Sequence, residues 1–249
     1  MNNVILSIKN LKKNYESKSN EIIAVDNFSL DLNEGEFIAI VGPSGSGKTT
    51  ILSILAGLLE KSSGKVNLKE NTKIGYMLQQ DALFEWRTIL NNCLLSLEID
   101  NNLNEESRNY VTNLLNKYGL KDFINSYPKS LSGGMRQRVA LIRTLANNPN
   151  ILLLDEPFSA LDYQTRLAVA DDVYKIIKEE KKSVIMVTHD LAEAISMADR
   201  IIVLSKRPSK IKNIYDIHFN DKDIPSKVRK KKEFYDYYDL IWKDIDKNV

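Results

Sequence analysis

The sequence has a single cysteine, Cys93, among 249 residues, so no internal disulfide framework holds it together and a reducing compartment suits it. Cys93 itself reads as a small packing residue. No stretch approaches the eighteen or so apolar residues needed to cross a bilayer, and the opening "MNNVILSIKNLKKNYE" lacks the long apolar core of a secretory leader. The chain is therefore expected to be soluble by itself. It also lacks a charge excess: 35 Lys and Arg stand against 33 Asp and Glu, a formal +2, which argues against an electrostatic nucleic-acid binder. Internal repeats and low-complexity linkers are missing as well. What remains is ordinary for a folded domain, with 43% hydrophobic residues and enough length for one substantial core.

Short β-branched runs alternate with longer helical patterns, which predicts an α/β architecture around a parallel sheet. "EFIAIVG", "KIGYMLQ", "NILLLDEP", "SVIMVTHD" and "RIIVLS" are the strand candidates, and each leads into a polar loop or helix start, where such sheets place ligands. Ahead of them, "VILSIKNLKKNY" and "IIAVDNFSLDLNEGE" read as antiparallel strands joined by a polar turn. From about residue 86 to 148 strand signals give way to helical periodicity, clearest in "EESRNYVTNLLNKYGL" and "GMRQRVALIRTLANN", so a helical insert is expected there. From about 206 to 249 the pattern is a strand-like "IKNIYDIHF" and then a helix with Phe234, Tyr238, Ile241 and Ile245 on one face. The basic run from Lys227 to Lys232 is read as a solvated helix face. The whole chain, 1–249, is read as one domain.

The strongest chemical signal is Gly42-x-x-x-x-Gly47-Lys48-Thr49, which follows a buried-looking strand and precedes the helical "TTILSILAGLL". This is the context of a P-loop. The residues of the loop, Gly42, Pro43, Ser44, Gly45, Ser46 and Gly47, let the backbone wrap phosphates. Lys48 is placed to reach the β- and γ-phosphates, Thr49 to ligate Mg²⁺, and Thr50 continues the loop into its helix. In "ILLLDEP" an apolar strand ends in Asp155, which can hold Mg²⁺ through water, and Glu156 follows as a candidate base for polarising an attacking water. A second turn with bare backbone N–H groups, Ser132-Gly133-Gly134, opens another helix, so the chain carries two candidate phosphate cradles.

"GPSGSGKTT", "LSGGMRQR", "LLLDEP", "SALD" and "VTHD" occur in the order and approximate spacing of the ATP-binding-cassette ATPases, and the resemblance covers nearly the whole chain. The Ser-Gly-Gly signature separates that family from other P-loop NTPases. The resemblance implies a P-loop NTPase (RecA-like) core with an antiparallel β subdomain and a helical subdomain, binding ATP and Mg²⁺. Tyr15 then matches the aromatic that stacks on adenine, and Gln79 the glutamine that senses Mg²⁺ and the attacking water; Gln80 is the lesser candidate because Gln79 comes first at the strand end. His189 matches the residue on the γ-phosphate and Asp162 the one that crosses to a partner subunit. In the family two subunits dimerise head to tail, so Ser132, Gly133, Gly134 and Gln137 of one chain are implied to close over ATP held by the P-loop of the other.

"QQDALFEWRTIL" and "RPSKI" are similar to "DALLPWRTV" and "RPGRI" of importer ATPases for nitrate, sulfonate and taurine, and the ending "EFYDYYDLIWKDI" is similar to that of the same group. This implies a separate membrane permease fed by an extracytoplasmic solute-binding protein, and a place on the cytoplasmic face of the membrane. Glu85 departs from the group's proline and Ser209 from its glycine. Trp86 and Arg87 match the place that receives a short helix from the permease, while a tryptophan buried in the helical insert is the other reading of Trp86. Import of a pyrimidine-type vitamin precursor and a non-transport cassette ATPase are the alternatives at this point.

Overall fold

The structure, a computed structural model, describes residues 3–16 and 21–246. Two long strands open it, β1 (Val4–Glu16) and β2 (Glu21–Asn33), followed by β3 (Phe37–Val41), α1 (Lys48–Leu55), β4 (Ser63–Leu68) and β5 (Ile74–Met77). The helices α2 (Ile89–Ile99), α3 (Glu105–Lys117) and α4 (Gly133–Leu145) come next. The chain then alternates through β6 (Ile151–Asp155), α5 (Tyr163–Glu179), β7 (Ser183–Val187), α6 (Leu191–Met197) and β8 (Arg200–Leu204). It closes with β9 (Ile211–Asp216), α7 (Pro225–Val228) and α8 (Lys232–Asp246).

Among the described residues the strands form two sheets. One has six strands in the order β5-β6-β7-β3-β8-β9, parallel except for β9, and the other is a three-stranded antiparallel sheet, β2-β1-β4. The inner parallel strands β3, β6, β7 and β8 are buried on both faces, which explains their unbroken apolar runs, while β5 at the edge is only partly buried. Side chains alternate across a strand. Phe37, Ala39 and Val41 of β3 accordingly enter one core, with Leu152, Leu154, Val184 and Met186, while Ile38, Ile40, Ile151, Leu153, Ile185 and Val187 enter the other. The first core is roofed by α2 to α6 and by Val228, Phe234 and Ile241 of the C-terminal segment. The second is covered by α1 and the antiparallel sheet. Cys93 lies fully buried in the first core, where burial pushes its thiol up to about 12, so it packs as a neutral group.

Three features depart from the sequence reading. β4 carries no clear sequence signal because most of it is exposed, yet it pairs antiparallel with β1, Leu6 opposite Leu68. The helix after the P-loop stops at Leu55, ahead of Gly57 at φ +73°, rather than running through "AGLL". The run from Lys227 to Lys232 is not one helix face. It spans the end of α7, where Val228 is buried, a turn in which Lys231 Nζ donates to the Asp221 carbonyl at 2.8 Å, and the first residue of α8.

Candidate nucleotide site

The carboxyl ends of the parallel strands deliver the site. The P-loop leaves β3 at Gly42 and enters α1 at Lys48, with Gly45 at φ +72° and Gly47 at φ +83°, conformations that a side chain on L-residues disfavours. Lys48 Nζ donates to the carbonyls of Gly42 and Pro43 at 2.9 and 3.0 Å. Burial lowers its pKa, against the pull of Glu156 and Asp155, which leaves a poorly hydrated ammonium poised beside the loop. A cleft of about 650 Å³ opens there, lined by residues 44–50 together with Gln79, Glu156, His189 and Arg207.

Asp155 ends β6, and β7 separates it from β3 in the sheet, yet the Thr49 hydroxyl donates to Asp155 Oδ1 at 3.2 Å. Tyr76 of β5 donates to the other carboxylate oxygen at 3.1 Å. Burial raises the Asp155 pKa, opposed by those two hydroxyl donors. Glu156 takes an uncommon left-handed φ of +45° and donates its own N–H to the Val187 carbonyl at 2.9 Å, which fixes the turn at the sheet edge. Its Oε2 atom lies 3.0 Å from His189 Nδ1 and accepts from Gln79 Nε2 at 3.3 Å. Gln79 also reaches Ser159 Oγ at 3.4 Å. Lys48, Thr49, Gln79, Asp155, Glu156 and His189 are thus brought together. Gln80 is not among the cleft residues.

Other candidates stand apart from that cleft. Tyr15 sits two-fifths exposed with its hydroxyl 3.4 Å from Thr50 Oγ1 and Lys13 Nζ 5.1 Å from its ring centre. Ser132 caps α4, accepting from the Met135 N–H at 3.4 Å. Gly134 is buried against α5, and a Cβ there would come within 2.7 Å of Val169 Cγ2, so helix packing alone already requires glycine. Gln137 donates to the Pro157 carbonyl, and Asp162 caps α5 through the Thr165 N–H at 3.1 Å. Neither Ser132, Gly133, Gly134, Gln137 nor Asp162 lines the P-loop cleft of its own chain. Trp86 is 74% exposed and tilts against Phe84 with ring centres 4.8 Å apart, which removes the buried-core reading. Arg87 is committed within the chain, with both Glu98 carboxylate oxygens 2.6 Å from Nη2.

The ABC transporter family model matches residues 25–159, from the second strand through the P-loop, the signature and Glu156. This chain belongs to the ABC transporter ATP-binding family. It is similar to the ABC transporter ATP-binding protein YtlC of Bacillus subtilis, 46% identical across 97% of this chain and 95% of the relative. The taurine import ATP-binding protein TauB of Roseobacter denitrificans is 38% identical, covering 98% and 96%, and the nitrate import ATP-binding protein NrtD of Synechocystis is 36% identical, covering 95% and 93%. Among solved structures, a dimeric post-hydrolysis state of the cassette MJ0796 bound to ADP and Pi superposes with a TM-score of 0.72 at 35% identity, over 86% of this chain and all of that one. The ABC protein has the ABC ATPase fold, binds ATP and is an ATPase of the transporter class. Among its described residues no helix is long and apolar enough to cross a membrane.

Three residues of this ABC ATPase escaped sequence reasoning. Tyr76 carried no motif signal, and Ser159 opens the "SALD" motif, from which only Asp162 was given a role. Arg207 lies in "RPSKI", which resemblance tied to the importer group and not to the nucleotide.

Proposed function

We propose that the chain is the ATP-hydrolysing subunit of an importer, working as a homodimer against a separate permease on the cytoplasmic face of the membrane. Its solute is a small sulfonate or oxyanion of the taurine or nitrate kind, delivered by an extracytoplasmic binding protein. The observation that carries the homodimer is the separation of the two cradles: the Ser132–Gly134 turn and Asp162 do not line their own chain's P-loop cleft, so a second copy is the natural recipient. The names of the taurine and nitrate relatives support the solute class. Exposed Trp86 supports docking, as it precedes α2, whose Leu95 and Ile99 line a groove of about 620 Å³ with Tyr76 and Arg143.

In this reading Lys48 leaves the Gly42 and Pro43 carbonyls for the β- and γ-phosphates, and the P-loop N–H groups hold the remaining charge. Tyr15 stacks on adenine. Thr49 and Asp155 fit Mg²⁺, one hydroxyl beside one buried carboxylate with Gln79 at the cleft wall, because this ion takes most of its oxygens from phosphate and water. When bound there, Mg²⁺ would supply charge neutralisation for the phosphates. Glu156 takes the proton of the attacking water, oriented by Gln79, while His189 turns to the γ-phosphate. Loss of that phosphate removes the charge that the partner's Ser132 turn and helix N-terminus favour, so the dimer loosens.

Mixing Lys48→Ala with Ser132→Arg protein tests the shared site. The mixed dimer keeps one intact composite site, so ATP-dependent closure, read by size, should recover relative to either variant alone. Failure to recover at any mixing ratio, with both variants melting normally, would count against sharing.

A further inference from the structure

Residues 205–210 join β8 to β9 and lie against the P-loop. Arg207 Nε and Nη2 both donate to the Gly45 carbonyl, at 3.3 and 3.0 Å, and Arg207 lines the same cleft as Ser44, Glu156 and His189. The loop is held from behind by β2. Fully buried Ser209 donates its N–H to the Ala24 carbonyl at 3.1 Å, and its own carbonyl accepts from the Asp26 N–H at 2.9 Å. That Ala24 carbonyl also stands 3.1 Å from the point a Cβ on Gly47 would occupy, so one stretch of β2 abuts both the Arg207 loop and the start of α1. Within the loop, Ser205 Oγ accepts from the Lys210 N–H at 3.0 Å and donates to the Pro208 carbonyl at 3.2 Å. Arg207 is therefore a side chain on an anchored support.

Its charge is not matched by a carboxylate among the described residues. Among the described residues Arg207 makes no ion pair, whereas neighbouring Lys210 pairs with Asp26 at 3.0 Å. A guanidinium has five N–H donors and stays charged at any working pH. With Nε and one Nη2 N–H spent on a single carbonyl, a fork remains of the shape that phosphate accepts.

We propose that Arg207 contacts the terminal phosphate of ATP, a second cation beside Lys48 that the C-terminal segment delivers to the site and that makes the site favour triphosphate over diphosphate. The proposal rests on the P-loop cleft being the nucleotide site. The terminal phosphate is chosen over the others because of where the anchor lies. Lys48, which serves the β- and γ-phosphates in a P-loop, bonds the carbonyls of Gly42 and Pro43, three and two residues before the Gly45 carbonyl that holds Arg207. The candidate base Glu156 and His189 line the cleft with it; Thr50, in the first turn of α1, lines it too, and there its hydroxyl meets the candidate adenine-stacking Tyr15.

Calorimetric titration of ATP and ADP with Mg²⁺ into full-length Glu156→Gln protein, with and without Arg207→Ala, tests this without turnover. Removing a charge-assisted hydrogen bond that only ATP receives should weaken ATP roughly tenfold or more and ADP by less than about threefold. Arg207→Lys, keeping the charge without the fork, should fall between. Equal weakening of ATP and ADP would assign Arg207 to propping the loop and overturn the proposal, as would no change in either. Lys48→Ala separates the two levels: if it too leaves both nucleotides bound as before, the cleft assignment has failed along with the proposal. If it weakens both while Arg207→Ala changes nothing, only the proposal has failed. Arg207 is exposed, so melting of the variant should match the parent, and Arg207→Lys carries the comparison if it does not.

Discussion

His189 Nδ1 lies 3.0 Å from Glu156 Oε2, a contact between residues 33 positions apart that exists because β6 and β7 are parallel neighbours in register, Asp155 opposite Val187. The pair lines the P-loop cleft, with Gln79 on the same carboxylate oxygen. Glu156→Gln keeps the size and the hydrogen-bonding oxygen but removes the base. Hydrolysis should fall by about 10²–10⁴ while ATP still binds, and the ATP-bound dimer should accumulate on a sizing column. Turnover at the parent rate would exclude Glu156 as the base.

Glu193 is 2% exposed and accepts from the Thr188 hydroxyl at 2.7 Å, immediately before His189. Burial first, then the charge of Asp190, pushes its carboxyl up to about 7, against the Thr188 hydrogen bond and the charges of Arg166 and Arg229. Because the folded value stands above the ordinary 4.5, its contribution to stability is fully present below about pH 4.5 and is lost as pH rises through about 7. Glu193→Gln removes that titration. Urea unfolding at pH 5 and pH 8 should show a smaller loss of stability in the variant, by about 3 kcal/mol at most. Identical pH dependence in the two proteins would refute the assignment.

Trp86, at 74% exposure, contributes little to the fold of the isolated chain. Trp86→Ala should shift unfolding free energy by no more than about 0.5 kcal/mol and leave basal ATP hydrolysis unchanged. In the assembled transporter the same truncation should weaken permease association by about 2 kcal/mol or more, seen as release from washed membranes. Retention on membranes with coupled uptake intact would remove Trp86 from the docking surface.

Glu85 occupies the second position of a turn closed by the Arg87 N–H on the Phe84 carbonyl at 3.0 Å, a position that suits proline. Its carboxylate also meets Arg136 of α4 at 2.8 Å, beside the closer Asp81–Arg136 pair at 2.7 Å. Glu85→Pro exchanges a half-exposed ion pair, worth up to about 1 kcal/mol, for a stiffer unfolded chain, worth about 0.4–1 kcal/mol. The melting temperature should stay within about 2 °C of the parent. A much larger drop would mean that the turn does not accept proline's fixed φ.

Local sequence determined a great deal here. Four of the five parallel strands, β3, β6, β7 and β8, were legible because burial on both faces demands unbroken apolar runs, and the P-loop because its glycines and lysine lie within nine residues of one another, between a strand and a helix. The likeness of "LSGGMRQR" to one family was equally local. Strand order was not, since pairing between β6 and β7 or β3 and β8 depends on packing of whole faces and leaves no mark on neighbouring residues. Only that order puts Thr49 against Asp155 and Glu156 against His189. β4 stayed unread because an edge strand left mostly exposed needs no apolar alternation. Arg207 shows the same limit at the site itself: its motif was visible, but its carbonyl partner lies 162 residues away, and only the anchoring of residues 205–210 on β2 brings the guanidinium to the phosphate loop.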